Sequence, residues 1–123
     1  YVEKLIEALR HEVPYLRSRA AWLLGRCGDR RAVPPLIEAL SANASDPYIL
    51  EAVVLSLGRL GDRRAVAPLA GLLRSSFLPV RVAAARALGM LGDPAAVPAL
   101  SDANSLVREA AAAALAQLDA EGD

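Results

Sequence analysis

The chain has 123 residues, 14 basic and 14 acidic side chains and no net charge, which suits one domain with a sizeable core. Neutrality argues against a general nucleic-acid or anionic-membrane binder, and a 54% hydrophobic content excludes a disordered tail. Charges interrupt every apolar run before the ~18 residues that a membrane span requires. The 26 alanines and 21 leucines favour helix, whereas five aromatics and three isoleucines leave little material for β-structure. A single cysteine, Cys27, forbids an internal disulfide, and a single histidine, His11, removes most metal-site and histidine-based catalytic schemes. Starting at Tyr1 without Met and showing no signal peptide, the chain is expected to be an excerpt of a longer, cytoplasmic protein.

Two blocks recur along the chain. Leu24-Gly25-Arg26-Cys27-Gly28-Asp29 returns as Leu57-Gly58-Arg59-Leu60-Gly61-Asp62 and as Leu88-Gly89-Met90-Leu91-Gly92-Asp93, with a degenerate copy at Leu115 to Asp119. After each of the first three comes Ala32-Val33-Pro34-Pro35-Leu36, Ala65-Val66-Ala67-Pro68-Leu69 or Ala96-Val97-Pro98-Ala99-Leu100. Leu5-Ile6-Glu7-Ala8-Leu9 parallels Leu36-Ile37-Glu38-Ala39-Leu40, so the chain opens on the same block. The periodicity predicts helices near 1–10, 14–27, 30–41, 47–60, 63–74, 79–91, 94–101 and 105–118.

Each pair of helices has its own punctuation. Asp29, Asp62 and Asp93 stand at N-cap positions, and Gly28, Gly61 and Gly92 supply the left-handed residue that ends a helix. Gly25, Gly58 and Gly89 lie inside the last turn, where small residues let a neighbouring helix approach. In the second helix Leu16, Ala20, Leu23, Leu24 and Cys27 form an apolar stripe, which makes Cys27 a stand-in for a core leucine. No pair can bury its apolar face alone, so the pairs must stack. The expectation is one all-α domain over 1–123, with repeats at 1–28, 29–61, 62–92 and 93–119. The last first-helix is shorter by about one turn.

The run Val80-Arg81 through Gly92-Asp93, followed by Ala96-Val97-Pro98-Ala99-Leu100, resembles the short HEAT-like repeat of the phycobilisome-lyase type, and the likeness extends over essentially the whole chain. Ankyrin and tetratricopeptide signatures are absent. The resemblance implies a right-handed α-solenoid whose second helices line a concave face. It also implies that an arginine at the start of each second helix meets the aspartate of a neighbouring turn. Arg17, Arg81 and Arg108 match that arginine, and Asp29, Asp62 and Asp93 match the aspartate. Leu50 replaces the arginine in the second repeat.

Solenoids bind through positions that packing does not need. Aligned second helices leave a stripe of Tyr15, Arg19, Trp22 and Arg26, with Tyr48, Glu51, Leu55, Arg59 and Arg86 in the next two repeats. Aromatics and arginine are enriched at binding hot spots, so this stripe is the candidate partner surface. No phosphate loop and no metal-ligand spacing occurs, and no cofactor is expected. The leading expectation is a non-catalytic adaptor for another protein. Resemblance alone adds a bilin lyase or lyase fragment that holds a tetrapyrrole. The arginine row adds a nucleic-acid-binding solenoid, whose binding would be strongest at low salt.

Overall fold

A computed structural model describes residues 1–94, 112–113 and 115–117. It is an all-α solenoid of helix pairs: α1 (Val2–Ala8) with α2 (Pro14–Cys27), α3 (Val33–Ala42) with α4 (Pro47–Leu60), and α5 (Val66–Leu72) with α6 (Leu78–Leu91). Residues 112–113 and 115–117 are helical as well. The expected helix at 94–101, most of the one at 105–118, Arg108 and the shortening of the last pair lie outside the described residues.

The ends of these helices follow from local chemistry. Each second helix begins at or beside a proline, whose missing N–H costs nothing in a first turn. Asp46 caps α4 by accepting from the backbone N–H groups of Tyr48 (3.1 Å) and Ile49 (3.3 Å). Gly28, Gly61 and Gly92 end the three helices at φ of 70°, 68° and 68°. That left-handed conformation is open to glycine because it lacks a Cβ.

The first helices start later than expected. Arg30–Ala32 and Arg63–Ala65 form a tighter 3₁₀ turn before α3 and α5. Asp29 and Asp62 each accept from the backbone N–H two residues on, at 2.9 Å in both cases. That bond curls the chain into the turn before the α-helix can propagate.

Packing produces two layers. α2, α4 and α6 lie side by side in one, and α1, α3 and α5 each pack on the second helix of their own pair. The core between them holds Leu24, Leu36, Ile49, Leu50, Leu57, Leu69 and Leu88, all essentially without solvent contact. Burying a side chain of that size contributes about 1.5–3 kcal/mol. Adjacent second helices approach closely where the last-turn glycines sit. A Cβ on Gly25 would lie 2.5 Å from Ser56 Oγ and 2.8 Å from Ser56 Cα. One on Gly58 would lie 3.0 Å from both Cα and Cβ of Ala87. Ser56 then uses the proximity, donating from Oγ to the Ala21 carbonyl at 2.6 Å across the α2–α4 contact.

Two expectations about packing are corrected. Cys27 is exposed rather than a buried substitute for leucine, and Leu16 is also exposed on α2. The buried face of α2 is instead Ala20, Ala21, Leu24 and Gly25. The reason is position: α2 has another second helix, α4, on one side, and Leu16 and Cys27 lie on the opposite flank.

Candidate functional site on the second-helix face

Because the second helices share one register, their outward positions fall into rows. The exposed stripe of α2 carries Tyr15, Arg19, Trp22 and Arg26, and that of α4 carries Tyr48, Glu51 and Arg59 with half-buried Leu55. Arg86 continues the stripe on α6. Between α2 and α4 lies an open groove of about 380 Å³, lined by Tyr15, Arg19, Trp22, Tyr48, Glu51 and Leu55 together with Ser18 and Ala52. Six of the nine stripe residues named from the sequence thus meet in one depression. Arg26 adjoins it through Trp22, while Arg59 and Arg86 stand outside its lining.

Trp22 organises the groove. The Arg26 guanidinium carbon sits 4.7 Å from the centroid of its ring system and that of Arg19 sits 5.7 Å away. Both distances allow a cation–π attraction, worth about 0.5–1 kcal/mol at an exposed site. Their spacing on the helix, three residues before Trp22 and four after, is what puts all three side chains on one face. Tyr48 is 85% exposed and Tyr15 69%, so two rings of the groove wall are held by nothing in the chain's own core. Ser18, below them, turns its hydroxyl back to the Tyr15 carbonyl at 2.9 Å.

The expected arginine–aspartate partnership takes a different form. Arg17 donates to the carbonyls of His11 (2.7 Å) and Glu12 (3.3 Å), and Arg81 donates to that of Ser75 (2.6 Å). Neither meets a carboxylate among the described residues. These carbonyls lie in the turn before each second helix, outside any helical ladder, and a half-buried guanidinium satisfies them. Leu50, at the same register, is buried in the core. Its longer preceding loop closes on itself, with Asn43 Nδ2 donating to the Ala39 carbonyl at 2.9 Å and the Asp46 N–H to the Asn43 carbonyl at 2.9 Å.

The aspartates pair instead within the Asp-Arg-Arg-Ala-Val segments at 29–33 and 62–66. Asp29 holds Arg31 and Asp62 holds Arg64, each at 2.8 Å. The Arg64 side chain, with its backbone N–H, depresses the Asp62 carboxyl to about 2, with Arg30 of the preceding turn adding to it. Asp29 is lowered by Arg31 in the same way. One unit further, Arg63 reaches Asp93 at 3.8 Å. The repeated Asp-Arg-Arg was visible in the sequence and would have named these partners.

Groups with chemical potential are kept apart. His11 Nδ1 accepts from the Val13 N–H at 3.0 Å, which ties the ring into the turn before α2. Cys27 closes the same helix at its other end, and 14 residues of helix separate the two by about 20 Å. A thiol and imidazole so placed cannot act on one another. Among the described residues, no three His, Cys, Asp or Glu side chains gather into a metal-binding group, and no helix is long and apolar enough to cross a membrane.

Comparison with known proteins fits this architecture. The family model described as HEAT repeats matches residues 2–80, and that of the PBS lyase HEAT-like repeat matches residues 80–103. No curated protein matches significantly. Among solved structures, the complex of CpcE and CpcF of phycocyanin lyase from Nostoc sp. PCC7120 is similar at 31% identity and a TM-score of 0.87, over 98% of this chain and 54% of that one. Human deoxyhypusine hydroxylase in complex with glycerol is similar at 31% identity and a TM-score of 0.81, over 97% of this chain and 43% of that one. The chain thus spans about half the length of the solved proteins it matches. Its repeated helix pairs and the matched residues make it a member of the HEAT repeat family.

Proposed function

We propose that this chain is a non-catalytic HEAT repeat module that holds a protein partner on its second-helix face. The observation that carries the reading is the groove, where Tyr15, Trp22 and Tyr48 stand exposed beside Arg19 and Leu55. Three of the chain's five aromatic residues are spent there, on a surface whose burial the fold does not require. Rings and arginines of this kind supply large contact area and directed hydrogen bonds to a partner. The likeness to a solved complex of two lyase proteins supports a protein partner without naming one.

The test is the double variant Trp22→Ala/Tyr48→Ala used as bait against the wild-type chain, with far-ultraviolet circular dichroism as the control for folding. Partners identified with the wild type are expected to be lost from the variant. Equal retention by both baits overturns the assignment of the groove.

A second reading follows from the lyase neighbour, whose likeness covers nearly all of this chain. In it the same rings face a tetrapyrrole and the arginines hold its propionates, making the chain part of a lyase. Adding a free bilin then shifts the bilin's visible absorbance, and an unchanged spectrum overturns this reading.

A further inference from the structure

We infer that the groove takes an acidic protein segment, a short extended run in which carboxylate side chains alternate with apolar ones. This rests on the groove being the partner face. The chain is neutral as a whole, yet among the described residues every carboxylate side chain but Glu51 lies outside the second helices. α2, α4 and α6 carry six arginines against one glutamate, Glu51. The paired carboxylates, Glu3, Asp29, Glu38, Asp62 and Asp93, all belong to the first helices or to the turns that lead into them. Arg19, Arg26, Arg59 and Arg86 are therefore exposed, with no carboxylate in ion-pair reach among the described residues.

A contrasting surface shows what a neutralised cavity looks like here. Between α1 and α3, Ile6, Leu9 and Ala39 line a larger cavity of about 650 Å³, and there Arg10 is paired with Glu38 at 3.1 Å. Among the described residues, Arg19 in the groove of the other layer and Arg26 beside it have no such ion-pair partner. Arg19 and Arg26 are in addition held against the Trp22 ring. Stacking occupies a face of the guanidinium and leaves its edge N–H groups available, in the planar fork that matches a carboxylate. Arginines ordered in advance lose less freedom on binding.

Spacing and polarity select a peptide. Neighbouring second helices lie about 8–10 Å apart, so the track from Arg26 through Arg59 to Arg86 crosses three helices in about 20 Å. Six extended residues span that distance at about 3.3–3.6 Å each. Successive side chains of such a strand point to opposite sides, so carboxylates meet these arginines at the groove's edge while apolar groups lie on Trp22 and Leu55, one helical turn from Arg26 and Arg59. Glu51 lies within the groove lining. A nucleic-acid strand, charged at every nucleotide, would bring phosphate against it, whereas a peptide can place an uncharged residue there.

Trp22 is the chain's one tryptophan, so its fluorescence reports on the groove directly. The experiment titrates the 123-residue chain with an acetylated octapeptide of alternating glutamate and leucine. The same peptide with glutamine for glutamate, and an eight-nucleotide oligothymidylate, are titrated in parallel. The glutamate peptide is expected to bind about ten-fold more tightly than the glutamine one at low salt, and to lose that preference in 0.5 M NaCl. The exposed double variant Arg59→Glu/Arg86→Glu is expected to abolish the preference while the near-ultraviolet spectrum of Trp22 is kept. Silence toward both peptides at millimolar concentration overturns the inference, as does tighter binding of the oligothymidylate or an unaltered preference in the double variant. Equal binding of both peptides, weakened by Tyr48→Ala, overturns the acidic specificity alone and leaves the groove as the partner face. Failure of the partner face itself is read separately, as equal capture by the Trp22→Ala/Tyr48→Ala bait.

Discussion

The helices α2 and α4 carry the same pattern of residues and end in different surroundings. Ile49 is 1% exposed, while Leu16, its counterpart on α2, is 39% exposed. Leu60 is buried and its counterpart Cys27 is exposed. Ser56 is buried and its counterpart Leu23 only partly so. The difference is neighbours: among the described residues α4 is packed by α2 on one side and α6 on the other, whereas the one second helix packed extensively on α2 is α4. In a solenoid, burial of a position is conferred by the adjacent repeat. An amphipathic stripe shows where a helix can pack, and not whether anything packs there.

The largest expected effect tests that comparison directly. Ile49→Ala should destabilise the fold by about 2–5 kcal/mol, the range for emptying a buried site. Leu16→Ala, at the matching position, should cost no more than about 0.5 kcal/mol. Urea denaturation of the two variants measures both, and equal losses would break the comparison.

Next in size is the close approach of neighbouring helices. Gly25→Ala places a methyl group against the Ser56 backbone as well as its side chain, and such overpacking costs about 1–3 kcal/mol. Gly71→Ala meets nothing within 4 Å and should instead stabilise α5 by about 0.5–1 kcal/mol. Opposite shifts in thermal midpoint are the expected result; shifts of the same sign would show that the interlocking of α2 and α4 is looser than described.

A smaller effect separates the two aspartate turns. The Asp62 carboxyl titrates at about 2 in the fold against an ordinary 3.8, held down by the hydrogen bonds from Arg64. A depressed acid stabilises the folded state above its ordinary value and loses that contribution as pH falls from about 4 toward about 2. Asp62→Asn should therefore flatten the acid limb of a stability–pH curve in that window. Asp29→Asn acts in the same direction, since Asp29 is lowered as well. Its effect should be smaller, because its side chain is 28% exposed against 11% for Asp62 and the solvent screens it more. Identical curves for the two variants would show that the deeper burial of Asp62 makes no difference. Smallest of all, Cys27→Ser on the open flank should change stability by less than about 0.5 kcal/mol, as read by the same denaturation.

The second helices and their ends were legible because their causes are local. Leu-Gly-x-x-Gly-Asp carries its own stop and start: glycine tolerates positive φ and aspartate caps the next turn. The glycines at 25 and 58 were legible too, since a costly residue in a helix interior needs a packing reason. The exposed stripe could be drawn by subtracting the packing positions, and the groove gathers most of it. Less legible was the partnership of Arg17 and Arg81, because an arginine side chain reaches backbone carbonyls and carboxylates equally well. Which it meets depends on how the loop before it closes.

The sequence by itself determined the all-α repeat and the order of its helices, because periodicity and capping act within a few residues. Tertiary structure decided that Cys27 and Leu16 lie open while Leu60 and Ile49 do not, and that Arg19 and Arg26 gather on Trp22 beside Tyr48 and Leu55. Among the described residues it also left Arg19, Arg26, Arg59 and Arg86 out of ion-pair reach of a carboxylate. Those outcomes depend on distances between helices about 30 residues apart in the chain, and only stacking sets such distances.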